Sequence, residues 1–259
     1  MQMKSLVTAY NNAIISIYRQ QCLTCLRGLD GEYTLNGKNL LSWYLETTRR
    51  CSVKYGNQFN YFKNKDDILF CSDELLYFTA QLFLYRPYIN SPLKDAFLVG
   101  ENMVYPNYQN FEGKRYNMYA DIAGQVAYNY WDKIGDLIAS FFPDLIEQLN
   151  VYFSTAIEII PADFHCSDNY KWLNNFKISD YSELNKKRKQ IVLYSTSDTE
   201  YRYNHLQRTN DFVAMEGLQK EREYLAEYYK NHIALTLTGL EKTLQFLAEI
   251  TPALFKDIP

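Results

Sequence analysis

Apolar residues recur along this chain at intervals of three and four, the spacing of one helix face. In residues 3–27, Leu6, Ala9, Ala13, Ile14 and Tyr18 form such a stripe. The turn-rich "GLDGEYTLNGK" comes next, with Asn36-Gly37 as its strongest break. "NLLSWYLETTRRCSVKY" reads as a second helix, while 57–71 is open between a short strand at "DDILF" and a buried loop. Ser72 is placed to cap a third helix, with Asp73 and Glu74 at its positive end and Pro87 and Pro92 beyond it. Residues 93–113 read as a long connection, punctuated by Pro106 and Gly113.

The clearest element runs over 114–142, "KRYNMYADIAGQVAYNYWDKIGDLIASFF", about 43 Å at the helical rise. Ile122, Val126, Ile134, Leu137, Ile138 and Phe141 form its apolar face, and Pro143 ends or kinks it. "DLIEQLNVYFSTAIEII" reads as a shorter helix, and "ADFHCSDNYKWLNNFK" as irregular. Asp180 and Glu183 form a D-x-x-E capping box before "YSELNKKRKQIVLY". "STSDTEYRYNHLQRTND" is expected to be a polar loop. A last long helix over 211–250 carries Leu218, Leu225, Tyr229, Leu240 and Leu247. Strands are nearly absent, which makes the chain all-α: a helical bundle with long antiparallel helices. The 114–142 and 211–250 helices should bury their stripes on each other, with the Asp180–Tyr194 helix beside them. A single all-α domain is expected over 1–259, with N-terminal helices and a connection over 1–110 and a helical core over 111–259.

A chain of 259 residues can bury roughly 70–75% of its unfolded surface without staples. The 24 Tyr suit half-buried faces or an interface, or reflect codon bias, since Asn, Lys and Ile are frequent too. A net charge of −3 gives no global field that would gather nucleic acid, so any such contact must be local. No apolar run approaches the ~18 residues needed to span a bilayer. The first residues lack a signal-peptide pattern, and a soluble, cytoplasmic protein is expected.

Five Cys, an odd number, argue for free thiols in the core. Cys22 and Cys25 make a lone CxxC near a helix end, and Cys51, Cys71, Cys166 and His165 are scattered, so no zinc set forms. Asp121, Gln125, Asp132 and Asp136 recur near helical spacing, but a di-iron site needs Glu-x-x-His. Ala162, Arg202 and Tyr229 stand three before the three His, so that reading fails. There is no G-x-S-x-G, no phosphate-cradling Gly-rich loop and no H-E-x-x-H. No metal or cofactor is expected.

The basic run Lys186-Lys187-Arg188-Lys189 is by composition a solvated face. Taken through to Ser195, the segment "RKQIVLYS" resembles the Arg-x4-His motif of the HEPN superfamily in its form R-N-x-I-V-H-Y-S. Arg188, Ile191, Val192, Tyr194 and Ser195 match; Lys189 stands in place of Asn, and Leu193 in place of His. "YWDKIGDLI" is similar to the long helix of the HEPN-like subfamily first described in a Clostridium thermocellum protein, through Tyr130 to Asp136. The resemblance covers roughly 114–250.

It implies an α-helical domain, pairing as a homodimer, and a composite metal-independent ribonuclease site in which Arg holds the phosphate and His moves the proton. Leucine cannot move a proton, so about 10²–10⁴-fold of rate is missing at Leu193. The expectation is therefore an inactive binding or assembly module for RNA, a nucleotide or a partner protein, in a prokaryotic defence or toxin–antitoxin setting. Lys186, Lys187, Arg188 and Lys189 are the candidate phosphate ligands, and Leu193 is expected to be buried. The rival is an active ribonuclease using Arg188 with Tyr194, Asp198, Arg202 or His205.

Overall fold

The computed structural model describes residues 2–27, 32–91, 93–94, 96–105, 110–145, 151–193, 195–208 and 211–257. Its order is α1 (Gln2–Gln20), β1 (Thr34–Leu35), β2 (Lys38–Asn39), α2 (Leu40–Tyr55), α3 (Tyr61–Tyr85), β3 (Phe97–Val99), β4 (Asn102–Val104) and α4 (Phe111–Ala139). After these come α5 (Phe153–Glu158), α6 (Asp168–Ile178), α7 (Asp180–Leu193), α8 (Ser197–Gln207) and α9 (Phe212–Leu254). The fold is an all-α bundle; among the described residues the only strands are two antiparallel hairpins, β1–β2 and β3–β4. Asn36 and Gly37 both have positive φ, 50° and 73°, the two-residue turn that Asn-Gly supplies at least cost.

Short polar side chains start the helices by accepting from free backbone N–H groups. Asn39 accepts from Ser42, Asn60 from Lys63, Asn110 from Gly113, Ser167 from Tyr170, Thr196 from Thr199 and Asp211 from Ala214. These caps explain most departures from the sequence pattern. Asn60, not Ser72, opens the third helix, so "DDILF" is helical and Ser72 lies inside α3. Asn64 in that stretch is buried, donating to the Lys133 carbonyl and accepting from the Tyr44 hydroxyl. Ser167 opens α6 within the stretch read as irregular, and Thr196 opens α8 within the expected polar loop. The expected connection over 93–113 contains β3–β4 and the first turn of α4. At α7, the Glu183 N–H bonds the carbonyl of Ser179, one residue ahead of the expected cap. Pro143 does lie just beyond α4, while 146–150, expected to be helical, fall outside the described residues.

The chain forms two compact units. Unit 1 comprises Met1–Leu23, Leu75–Gln125 and Lys186–Asn231; unit 2 comprises Thr24–Glu74, Val126–Asn185 and His232–Pro259. Helices α3, α4, α7 and α9 contribute residues to both. In unit 2, Trp131 is fully buried against Phe153 and Phe176, ring centroids 5.0 and 4.0 Å away. Gly135 lets the α5 backbone approach: a Cβ there would lie 2.8 Å from Phe153 Cα. Lys133 pairs with Asp136 at 3.1 Å. The "YWDKIGDLI" segment is thus a packing signature.

In unit 1, Tyr116 donates to the Arg222 carbonyl at 2.9 Å, which sets α4 beside α9. The same neighbours recur in unit 2, where Tyr130 donates to the Thr236 carbonyl at 2.9 Å. Within unit 1, Gly124 of α4 also meets the Tyr229 hydroxyl of α9, so there the two helices run in the same direction. In unit 1, α3 packs on α4 through Tyr85 and Tyr119; in unit 2, α7 packs on α4 through Tyr128 and Tyr181.

All five cysteines are free: Cys51 and Cys71 are buried as expected, Cys25 is half-buried, and Cys22 and Cys166 are exposed instead. Burial pushes the Cys51 and Cys71 thiols up to about 11. The helical stretch 61–88 is long and apolar enough by composition to cross a membrane, although no unbroken apolar run marks it. More than half of that window is buried, as in a core helix.

Candidate functional site

The site of interest lies in unit 1 and starts from one residue. Arg222 occupies the apolar stripe of α9, between Leu218 and Leu225, and is 4% exposed. Its Nε donates to Asn117 Oδ1 at 3.1 Å, and its guanidinium lies 4.5 Å over the Tyr201 ring. Room for it comes from Gly113, where a Cβ would stand 2.6 Å from Nη2. By strict geometry neither Nη1 nor Nη2 has a hydrogen-bond partner among the described residues, although Tyr201 lies within looser hydrogen-bonding reach, and both nitrogens are closed off from solvent, with Nη2 directed at Gly113. Burial depresses the guanidinium's proton affinity, opposed chiefly by the neighbouring Tyr201.

Arg222 lines a cavity of about 320 Å³, at the small end of ligand pockets. Helix α7 contributes Lys187, Gln190 and Ile191; the α7–α8 link and α8 contribute Ser195, Ser197, Glu200, Tyr201 and Asn204; α9 contributes Glu221 and Tyr224. The walls are tied down. Asn117, which holds Arg222, also donates to Asp198 at 3.1 Å. The Ser197 hydroxyl donates to Asp121, whose carboxyl burial pushes upward. Glu200 accepts from the Ser195 hydroxyl at 2.9 Å and from Asn204 Nδ2 at 3.0 Å. The Lys187 ammonium sits 4.0 Å over the Tyr228 ring.

The residues expected from the sequence are dispersed. Of the basic run, Lys187 lines the cavity; Lys186 and Lys189 are exposed, and Arg188 donates to Gln125 at 3.5 Å. Leu193 is 66% exposed at the end of α7, the opposite of the buried position expected for it. Tyr181 and Leu184, in the first half of α7, are its buried residues, and Val192 and Leu193 at its end are exposed. Tyr194 lies outside the described residues. Asp198 is tied to the new site through Asn117. Arg202 is exposed, whereas His205 is fully buried with a ring nitrogen 3.0 Å from the Tyr105 carbonyl. Among the described residues no group of His, Cys, Asp and Glu could hold a metal ion.

Sequence reasoning missed Arg222. Its signal was there: an arginine at helical spacing inside the stripe Leu218, Leu225, Tyr229, where an apolar residue is the rule. No protein-family model, no curated protein and no solved structure matches the chain.

Proposed function

We propose that the chain is a catalytically silent, HEPN-like binding module whose ligand carries an oxyanion, a nucleotide foremost, seated in the unit 1 cavity. The observation that carries this is the buried Arg222 guanidinium on the cavity lining, whose terminal nitrogens make no hydrogen bond of good geometry among the described residues and which would turn from Gly113 toward the cavity to meet the ligand. A guanidinium is a two-pronged donor matched to carboxylate and phosphate, and burying it unmatched is costly. Lys187, from the basic run of the motif-like segment, adds a second cation to the same lining. Leu193 offers no proton-transferring group, and His205 is committed to a backbone carbonyl inside the core. Two copies would pair in the cytoplasm through α7 and α8, where Val192, Leu193, Tyr203 and Leu206 are exposed.

The experiment is equilibrium binding of inorganic phosphate and nucleoside monophosphates, beside a cleavage assay on single-stranded RNA. Wild type should bind, Arg222→Met should not, and neither should cut RNA above buffer. Cleavage by wild type that is lost in Arg188→Ala would replace this proposal with the ribonuclease. Light scattering that finds only monomer at high micromolar concentration would remove the pairing.

A further inference from the structure

The cavity holds more than an unmatched cation. Glu200 is half-buried and has no ion-pair partner among the described residues. Its two oxygens accept from neighbouring lining residues, Oε2 from Ser195 and Oε1 from Asn204, which holds the carboxylate in place. Each oxygen keeps a lone pair for a further donor. Glu221, also without an ion-pair partner among the described residues, is exposed on α9 and lines the same space. Arg222 and Glu200 line one cavity without pairing with each other, and the guanidinium would turn from Gly113 to meet a ligand there.

The lining therefore carries Lys187 and Arg222 against Glu200 and Glu221, a formal charge of zero. Asp121 and Asp198 stand directly behind it. A nucleic-acid strand gains affinity by meeting a run of cations with its regularly spaced phosphates. Here such a strand would bring further phosphates past Glu221 and Glu200. The volume of about 320 Å³ also suits one small molecule.

We infer that the occupant is a small molecule with an oxyanion at one end and a nitrogen donor at the other, the oxyanion on Arg222 and the nitrogen on Glu200. This rests on the oxyanion-site reading and narrows it. Two sources supply that chemistry: a nucleoside monophosphate with an amino-bearing base, or a free amino acid. Cytosine presents its exocyclic amine to a carboxylate, whereas uracil presents a carbonyl there. The exposed phenol ring of Tyr224 on the lining supplies a face for an aromatic ring.

The test is calorimetric titration of the full chain with inorganic phosphate, CMP, UMP and L-phenylalanine. Wild type, Arg222→Met, Glu200→Gln and Glu221→Gln are compared, with melting curves confirming that each is folded. Phosphate reads the oxyanion half alone and should bind wild type but not Arg222→Met. CMP should bind about tenfold or more tightly than UMP, and Glu200→Gln should erase the difference. If the ligand is an amino acid, L-phenylalanine binds instead, and Glu200→Gln weakens it by a similar factor. Should Glu200→Gln fail to fold, Glu221→Gln reads the carboxylate side, with a smaller loss in the same direction. Phosphate binding that depends on Arg222, combined with equal CMP and UMP affinities and no amino-acid binding, overturns this inference and leaves the oxyanion site standing. Binding of no probe, or binding indifferent to Arg222, overturns both.

Discussion

Arg222→Met separates a ligand-binding arginine from a structural one. Methionine keeps most of the aliphatic stem and deletes the charge. What is lost is the Nε bond to Asn117 and the guanidinium face on Tyr201, together about 2–5 kcal/mol. What is relieved is a buried charge whose terminal nitrogens make no hydrogen bond of good geometry among the described residues. The effective penalty for such an ion is several kcal/mol. The balance favours the variant, which should be at least as stable as wild type without ligand, by up to about 2 kcal/mol or ~4–8 °C in Tm. A structural arginine behaves oppositely: breaking its interactions costs about 3–5 kcal/mol, a fall of roughly 6–20 °C. The assay is a thermal melt read by circular dichroism, with and without ligand. At one hundred times Kd the ligand should add about 2.7 kcal/mol to wild type and nothing to the variant. A variant that melts well below wild type in the absence of ligand would refute the reasoning, because the guanidinium would then be holding α4 to α9.

Two further perturbations test the packing and the electrostatics. Gly217 and Gly239 both lie in α9; a Cβ at Gly217 meets nothing within 4 Å, whereas one at Gly239 lands 2.1 Å from the Trp131 ring. Gly217→Ala should therefore gain about 1 kcal/mol from helix propensity, and Gly239→Ala should lose about 1–3 kcal/mol despite the same propensity gain, both read by urea denaturation; equal effects would show that Trp131 is not packed on α9. Asp121 has its carboxyl pushed up by burial, so the folded state holds that proton more tightly than the unfolded state does. Its ionisation thus costs stability that grows as pH rises from about 4 through the folded pKa. Asp121→Asn should raise Tm at pH 7 by more than at pH 4; a gain that is the same at both pH values would show that the Asp121 charge carries no penalty.

The all-α class and the long helices were legible because their stripes repeat over many turns, as in α4 and α9. Helix α8 was not, because its buried residues are only Tyr201 and His205, one turn apart amid polar neighbours. A period cannot be read from two points, and the N-cap Thr196 sits in a run of Ser and Thr that looks like a loop. At the start of α3, the burial of Asn64 depends on the Lys133 carbonyl and Tyr44, partners far away in sequence. The site was obscured for a related reason. Basic residues were sought where they cluster, at 186–189, but a cluster is mostly solvated, and a single arginine on a buried stripe has no solvent to satisfy it.

The two segments behind the HEPN resemblance carry different kinds of information. In "YWDKIGDLI", Trp131 and Ile134 are buried, Gly135 admits a backbone, and Lys133 and Asp136 pair with each other. Packing of this kind constrains a fold and would persist whether or not the protein performs any chemistry. "RKQIVLYS" is the segment that speaks to chemistry, and there Leu193 is exposed and Arg188 does not line the cavity. If the inherited function were cleavage, Arg188 would be the residue whose loss abolishes it, and Arg222 would matter only for stability. If the function is capture of an oxyanion, Arg222 is indispensable for binding and expendable for folding, while Arg188→Ala leaves binding nearly intact. The two arginines thus give opposite patterns under the two readings, and a binding titration beside a melt on each variant decides between them.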